Sequence, residues 1–419
     1  MNCRHCFQPL LDILDLGRAP ITNAYSTDAE TSVAISRYPL QLGLCDHCGL
    51  VQTRYQIEAS AIFMPQYPYA ASTSTQWLQQ NAAFCAAMVD NYQLDSSNFV
   101  VELGSNDGYL LQYFQQAKIP CLGVEPTNMA QQANDKRLTT IQAFFSETVA
   151  RQIIAAYRKA DLIIAKNMFA HVDDINGLTR AITTLLADQG VFIIEVHALA
   201  SLVKYCQFDT IYHEHVFYYS LQALLKLLAD HRLRIFDCEA LPSHGGSLRV
   251  FVCHDQSHHL DSQNVSSTLA GEAKLKLDHQ QTYRQLQRVI NQQIKALKHY
   301  LLTAKKMNKR VVGYGAAAKG STLLNGAEID SELLPMVFDA ADSKQNKFMP
   351  ATAIPILAPM LMLEIEIDAV LILAWNLYEE IIEQLTAMGL TKVEFVRAIP
   401  SLEIQTDLVN LSIESDSFT

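Results

Sequence analysis

Apolar residues in this chain fall into short continuous runs separated by segments that read as helices. Runs at 99–103, 120–124, 161–165 and 190–196 have the length and composition of strands buried on both faces. Their alternation with helices predicts a parallel, doubly wound α/β sheet over roughly 70–255. A helix is expected from Trp77 to about Tyr92, and a further strand, Leu248 to Cys253, follows the glycine turn His244-Gly245-Gly246. From about Ser266 to Lys309 the rhythm changes. Tyr283, Leu286, Ile290, Ile294, Leu297 and Leu301 recur at spacings of three and four, which predicts one long amphipathic helical connector. A second α/β pattern then begins: Arg310-Val311-Val312 leads into Gly313-Tyr314-Gly315, Ala316 to Thr322 opens a helix, and Val337–Asp339 and Ala369–Ala374 read as strands. The expected domains are 1–65, 66–265, a connector at 266–308, and 309–419.

Composition narrows the class. Of 419 residues, 49% are hydrophobic and 18% charged, enough apolar material for two or three cores. The net charge of −11 comes with no run of lysine or arginine, so a nucleic-acid face is not expected. No apolar window reaches the roughly 18 residues of a membrane span, and MNCRHC is not a signal-peptide core, so a cytoplasmic protein is expected.

Four of the nine cysteines are paired: Cys3 with Cys6, and Cys45 with Cys48. Two CxxC knuckles supply four thiolates to one tetrahedral zinc, and four cysteines leave no open position for chemistry, so the metal is expected to be structural. The long separation between the knuckles implies a small strand-rich insert. The remaining five cysteines read as packing thiols in a reducing compartment.

The stretch Phe99 to Leu111 is a strand, a glycine turn and a helix start. Gly104 and Gly108 let the backbone approach a ligand closely. The carboxylates Glu102 and Asp107 suit a cationic ligand better than a pyrophosphate, which points to S-adenosylmethionine. Asn106 lies in the same turn. Glu125, closing the next apolar run, is placed to hold a ribose hydroxyl, and Asn167 and His171 follow the third strand. In open α/β sheets the ligand sits beyond the carboxyl ends of the strands, where these residues collect.

Other segments carry substrate chemistry. Tyr67 and Tyr69 open an aromatic, hydroxyl-rich stretch that could line a polar site. Tyr212 to Tyr219 holds two histidines, a glutamate and three tyrosines. Its i,i+2 histidine spacing does not suit a metal on a helix, and acid/base chemistry by a histidine near neutral pH is the better reading. Spacing alone does not choose between His213 and His215. In the last unit, Gly313, Gly315, Lys319, Gly320 and Ser321 form a glycine turn into a helix N-terminus, a suitable seat for a phosphate or pyrophosphate.

Taken in order, CxxC, CxxCGLVQ, VELGSNDGYLL, GVEP, FAHV, FDTIYHEH, HGGSLRV, GYGAAAKG and ILAWN resemble the zinc-containing sugar C-methyltransferases over nearly the whole chain. That resemblance implies an N-terminal zinc-binding domain, a class I S-adenosylmethionine methyltransferase Rossmann-like central domain and a C-terminal Rossmann-like α/β domain. It implies a nucleotide-linked keto-deoxysugar, usually a dTDP sugar, as substrate. It further implies His215 as base, assisted by Tyr212, Glu214 and His171. One departure is visible: Ala340-Ala341 stands where the family more often has asparagine-proline. A carbon beside a ketone is acidic enough for a positioned base to deprotonate, and the enolate carbon then attacks a sulfonium methyl. Methylation of a hydroxyl or amine, a non-catalytic zinc-bearing scaffold, and a nicotinamide oxidoreductase using Gly313-Tyr314-Gly315 are the alternatives. The expected cofactors are S-adenosylmethionine and zinc. The expected partner is the sugar nucleotide alone, with no nucleic acid or membrane and a monomeric state.

Overall fold

The apolar run around Glu102 becomes an interior strand of a sheet because both its faces are covered; every residue from Val100 to Leu103 is buried. The computed structural model of the protein describes residues 1–58, 62, 71–73 and 75–405. These fall into two units. The first comprises Met1–Leu14, Gln41–Lys204 and His213–Tyr283; the second comprises Asp15–Leu40, Tyr205–Tyr212 and the chain from Arg284 onward. Among the described residues no helix is long and apolar enough to cross a membrane.

Near the N-terminus, β1 (Leu11–Ala19), β2 (Tyr38–Leu44) and β3 (Val51–Thr53) are joined by a later strand, β9 (Phe217–Tyr218), in the order β1-β2-β3-β9. The second CxxC knuckle makes the tight connection between β2 and β3, whose register pairs Leu44 with Val51.

The main sheet of the first unit contains β4 (Val100–Leu103), β5 (Cys121–Val124), β6 (Thr140–Ile141), β7 (Ala160–Lys166), β8 (Leu186–His197), β10 (Leu233–Leu241) and β11 (Ser247–His254). Its order is β10-β11-β8-β7-β4-β5-β6. Strands β4 to β8 are parallel to one another as the alternation predicts. Strand β11 runs antiparallel to β8, and β10 antiparallel to β11, so the sheet is mixed. The chain order reverses between β4 and β7, and that switch point is where ligands enter doubly wound sheets. Helix Ile175–Leu185 shows how the sequence sets a layer. Asp174 caps it by accepting from the Gly177 N–H, and Ile175, Leu178, Ala181, Ile182 and Leu185 form its buried face.

The expected single connector is two helices, Gln263–Leu275 and Gln280–Lys306. The break falls at Lys276, which adopts a left-handed backbone with φ of 52° and closes the first helix. No glycine or proline marks it, so apolar periodicity runs across the break unnoticed. The buried stripe of the second helix includes Tyr283, Leu286, Ile290, Leu297 and Leu301.

The second unit has its own sheet of β12 (Val311–Tyr314), β13 (Val337–Phe338), β14 (Lys347–Phe348), β15 (Pro355–Leu357), β16 (Ala369–Ile372), β17 (Glu394–Arg397) and β18 (Glu403–Gln405). The order is β14-β15-β13-β12-β16-β17-β18, parallel in its centre and closed by antiparallel edges. Residues 15–40, from the insert between the knuckles, belong to this unit. The Tyr25 hydroxyl donates to the Ala316 carbonyl at 2.7 Å, and the Ser32 hydroxyl to the Met349 carbonyl at 2.7 Å.

Candidate active site

The four knuckle cysteines converge: their sulfurs all lie within 4.8 Å of one another. Cys3 and Cys48 sulfurs are 3.7 Å apart, and those of Cys6 and Cys45 3.4 Å. A tetrahedral zinc with bonds of about 2.3 Å separates its sulfurs by about 3.8 Å, so the set fits the metal. The hydrogen bond from Cys48 does most to hold the Cys3 thiol down, at about 4. Gln52 Nε2 also donates to Cys3 Sγ, at 3.2 Å.

The turn after β4 forms a cradle at the carboxyl edge of the main sheet. Gly104 and Gly108 have φ of 68° and 80°. A side chain at Gly104 would come within 2.9 Å of Met168 Cβ, so this turn demands glycine on both counts. Asn106 and Asn167, in the turns after the adjacent strands β4 and β7, also adopt left-handed backbones, with φ of 48° and 53°. Such strain gathers at ligand sites. Glu125 closes the cradle: one carboxylate oxygen accepts from the Asn106 N–H at 3.0 Å, the other from the Thr127 N–H and hydroxyl at 2.9 and 2.6 Å. Asp107 is buried and takes the Lys136 ammonium at 3.0 Å and the Ser72 hydroxyl on Oδ2. Its Oδ1 is buried with no hydrogen-bond partner among the described residues. Burial pushes the Glu102 carboxyl well above the usual range, against the pull of Lys166 and the Tyr109 hydroxyl. A carboxylate-rich, glycine-floored cradle of this kind fits a donor bearing an ammonium, a sulfonium and ribose hydroxyls.

Beside this edge lies a network that reasoning from the sequence missed. Lys166 Nζ sits 3.5 Å from Glu195, 2.6 Å from Asn81 Oδ1, and 4.7 Å from each of the Trp77 and Phe84 rings. Arg249 also pairs with Glu195, at 2.8 Å. Burial pulls the Lys166 ammonium below its ordinary value. Burial pushes Glu195 up, but Lys166 and Arg249 outweigh it and hold the carboxyl down. Lys166 and Glu195 are register partners at the ends of β7 and β8, a charge pair that opposite-sign residues closing two apolar runs could have signalled. His244 follows, its Nε2 3.2 Å from Asn167 Nδ2.

The segment around YHEH is fixed from two sides in the first unit. Val216 N–H donates to the Ala170 carbonyl at 2.8 Å, and the Val216 carbonyl accepts from the Thr53 N–H at 2.9 Å. This brings His171 and His215 together, ring centroids 4.8 Å apart. His213 and Glu214 are each 3% exposed, whereas His215 is half-buried. Burial pulls His171 down to about 4. Tyr212 is half-buried and belongs to the second unit. Tyr67 and Tyr69 lie outside the described residues.

In the second unit Gly313 is buried in β12, and Gly315 turns the chain with φ of 93° into helix Ala318–Gly326. Gly320 lets the helix press on β16; a side chain there would meet Leu373 Cβ at 3.0 Å. Ser321 Oγ is buried with no partner among the described residues. Lys319 Nζ stands 4.5 Å from the centre of the Trp375 ring and 3.3 Å from Asn376 Oδ1. The oxygens of Asp339 are taken by the Ala341 N–H at 2.8 Å and the Lys344 ammonium at 3.1 Å.

Three family models match the chain: "Putative zinc binding domain" over residues 3–63, "Methyltransferase domain" over 77–235 and "C-methyltransferase C-terminal domain" over 242–400. The chain is 33% identical over 384 residues to C-methyltransferase NovU of Streptomyces niveus, an alignment covering 91% of each chain. Among solved structures it is similar to magnesium protoporphyrin IX methyltransferase (ChlM) of Synechocystis PCC 6803 with bound SAH, at 15% identity, 42% of this chain, 83% of that chain and a TM-score of 0.34. It is also similar to an S-adenosylmethionine-dependent methyltransferase of Clostridium acetobutylicum ATCC 824, at 14% identity, 44% of this chain, 92% of that chain and a TM-score of 0.34. The mixed sheet, the matched methyltransferase domain and the four-cysteine site define an S-adenosylmethionine-dependent methyltransferase of α/β fold that binds zinc. The chain belongs to the zinc-containing C-methyltransferase family, and its substrate is a small molecule.

Proposed function

We propose that this enzyme methylates a ring carbon, C-3, of a dTDP-linked 4-keto-deoxysugar through a base-generated enolate. The observation that carries the reading is the pairing of half-buried His215 with neutral His171. Carbon methylation needs a carbanion equivalent, and a ketone next to the reacting carbon makes one accessible to a histidine near neutral pH. His215 removes the proton. Uncharged His171 donates toward the ketone oxygen as charge develops there. Tyr212 and Glu214 orient base and sugar, and Tyr67 and Tyr69 belong to the same substrate assignment. S-adenosylmethionine supplies an electrophilic methyl on a sulfonium. Its seat is assigned to Glu102, Gly104, Asn106, Asp107, Gly108, Glu125 and Asn167.

The phosphates are assigned to Gly313, Gly315, Lys319, Gly320 and Ser321, where backbone donors, a buried hydroxyl with no partner among the described residues and an ammonium lie at one helix start. The division of labour follows: zinc module at 1–65, donor domain at 66–265, helices at 266–308 and nucleotide domain at 309–419. None of the nine cysteines forms a disulfide, which supports a cytoplasmic setting. A monomer is proposed, which light scattering checks.

The test is incubation with labelled methyl donor and a panel of nucleotide-linked 4-keto sugars deuterated beside the ketone. Methyl transfer with loss of deuterium supports the enolate. Transfer to oxygen or nitrogen with deuterium retained overturns it. Lys319→Ala should raise the KM for the sugar nucleotide about tenfold or more through a lost charged contact; an unchanged KM removes the phosphate assignment.

A further inference from the structure

The second unit buries a carboxylate that this scheme does not use. Asp209 lies in the turn Phe208–Thr210, three residues before Tyr212, and is 0% exposed. Its Oδ2 accepts from Trp375 Nε1 at 2.6 Å, while Oδ1 is buried with no hydrogen-bond partner among the described residues. Trp375 opens the turn Trp375–Leu377 after β16, and its ring faces the Lys319 ammonium at 4.5 Å. The helix that carries Lys319 is tied to the Asp209 segment a second time: Thr322 Oγ1 is 3.3 Å from the Ile211 carbonyl and donates to it. A buried carboxylate is costly unless donors and a cation compensate it; the donors here are the Trp375 indole and the backbone of Asp209 and Thr210. Lys319 is the cation that acts on it.

We propose that Asp209 is a positioning residue for the phosphate end of the substrate, keeping Lys319 charged and in place beside Trp375 while anchoring the segment that carries Tyr212. This rests on the assignment of phosphate to the 313–322 turn. Burial pulls Lys319 down to about 8, and Asp209 pulls it back up. Burial pushes Asp209 up to about 6, against Lys319 and the Trp375 N–H. A further titratable group against Asp209 is the Cys206 thiol, pushed up to about 12 by burial and by Asp209, and so uncharged across the working range. Between about pH 6 and 8 the carboxylate and the ammonium are both ionised. Without the carboxylate, Lys319 loses its proton at lower pH.

The experiment is calorimetric titration of the full-length protein with thymidine diphosphate from pH 7.0 to 9.5, using wild type, Asp209→Asn, Trp375→Phe and Lys319→Ala. Wild-type affinity should fall as pH rises through about 8. In Asp209→Asn that limb should move down by about one unit, the usual size for a lost nearby counter-charge. Binding then weakens about fivefold at pH 8 and by no more than about twofold at pH 7. Trp375→Phe, which removes the N–H but keeps a ring, should shift the limb the same way by less, and it carries the test if Asp209→Asn does not fold. Lys319→Ala should weaken binding and abolish the limb. If Lys319→Ala weakens binding while the limb stays put in both other variants, the role of Asp209 is overturned and the phosphate assignment stands. If Lys319→Ala binds as wild type does, the phosphate assignment fails and the inference falls with it.

Discussion

The rings of His171 and His215 meet edge to face, with centroids 4.8 Å apart and planes at 78°. The contact follows from the backbone, since the Val216 N–H donates to the Ala170 carbonyl and lays the end of YHEH alongside the FAHV turn. A protonated pair this close would repel. Burial resolves that by holding His171 at about 4, so that the ring beside His215 is neutral.

His215→Ala is therefore expected to lower methyl transfer by about a hundred- to ten-thousandfold, the range typical of a lost general base. Exchange of the proton beside the ketone should fall equally. His213, 3% exposed, should act on stability instead. Both variants are assayed for transfer and for solvent exchange, with donor binding checked separately. Normal exchange in His215→Ala, with exchange lost in His213→Ala, would reverse the assignment.

His171 also predicts a pH dependence of stability. Its folded pKa of about 4 lies below the ordinary value of 6.5, so the unfolded chain binds the proton more readily. Stability from this group is present above about pH 6.5 and is lost as pH falls toward 4, at about 1.4 kcal/mol per unit. His171→Asn should flatten that part of the urea-midpoint profile. An unchanged slope between pH 6.5 and 4 would show that His171 is not the group responsible.

Zinc should matter to a histidine it does not touch. The second knuckle closes the β2–β3 hairpin; β3 pairs Val51 with Tyr218, and Thr53 N–H donates to the Val216 carbonyl beside His215. Cys45→Ser is expected to reduce bound zinc below about half an equivalent and to lower the melting temperature. Methyl transfer should fall while S-adenosylhomocysteine binding is retained. Full zinc occupancy in Cys45→Ser, by metal analysis, would contradict the four-cysteine site.

The parts of this molecule legible from sequence are those in which chemistry and local periodicity coincide. The two knuckles, the Gly104 turn and the parallel run of strands need only neighbouring residues to be recognised. The Lys276 break was hidden because a left-handed lysine carries no compositional mark. The antiparallel pair β10–β11 and the membership of 15–40 and 205–212 in the second unit depend on contacts far apart in sequence, which no window contains. Lys166 directly follows the apolar run 161–165, and only the strand register places it opposite Glu195.

Glu125 gives a donor-side prediction. Its carboxylate holds the Asn106 N–H as well as Thr127, so truncation loosens the cradle in addition to removing the proposed ribose contact. Glu125→Ala should weaken S-adenosylhomocysteine binding about ten- to a hundredfold. Unchanged affinity by calorimetry would remove Glu125 from the donor site.

The Lys166–Glu195–Arg249 network predicts an asymmetry. The Lys166 and Glu195 side chains are 2% and 1% exposed, and Arg249 shares the same carboxylate at 2.8 Å. Glu195→Gln leaves two cations facing each other in a low-dielectric site, with Glu239, half in solvent, still pairing with Arg249 at 3.0 Å. Removing one member of a buried pair costs about 3–5 kcal/mol. Lys166→Met leaves Glu195 still paired with Arg249 and packs a thioether between Trp77 and Phe84, so the loss should be smaller, about 1–2 kcal/mol. It has a second consequence: Glu102 loses the cation that opposes its burial, and its pKa rises further. Donor binding in Lys166→Met should therefore decline more steeply than in wild type as pH is lowered, because a protonated Glu102 no longer attracts a cationic ligand. Urea midpoints of the two variants, with donor calorimetry at two pH values, measure both effects. A larger midpoint loss in Lys166→Met than in Glu195→Gln would mean that Glu195, rather than the pair of cations, is what the network leaves uncompensated.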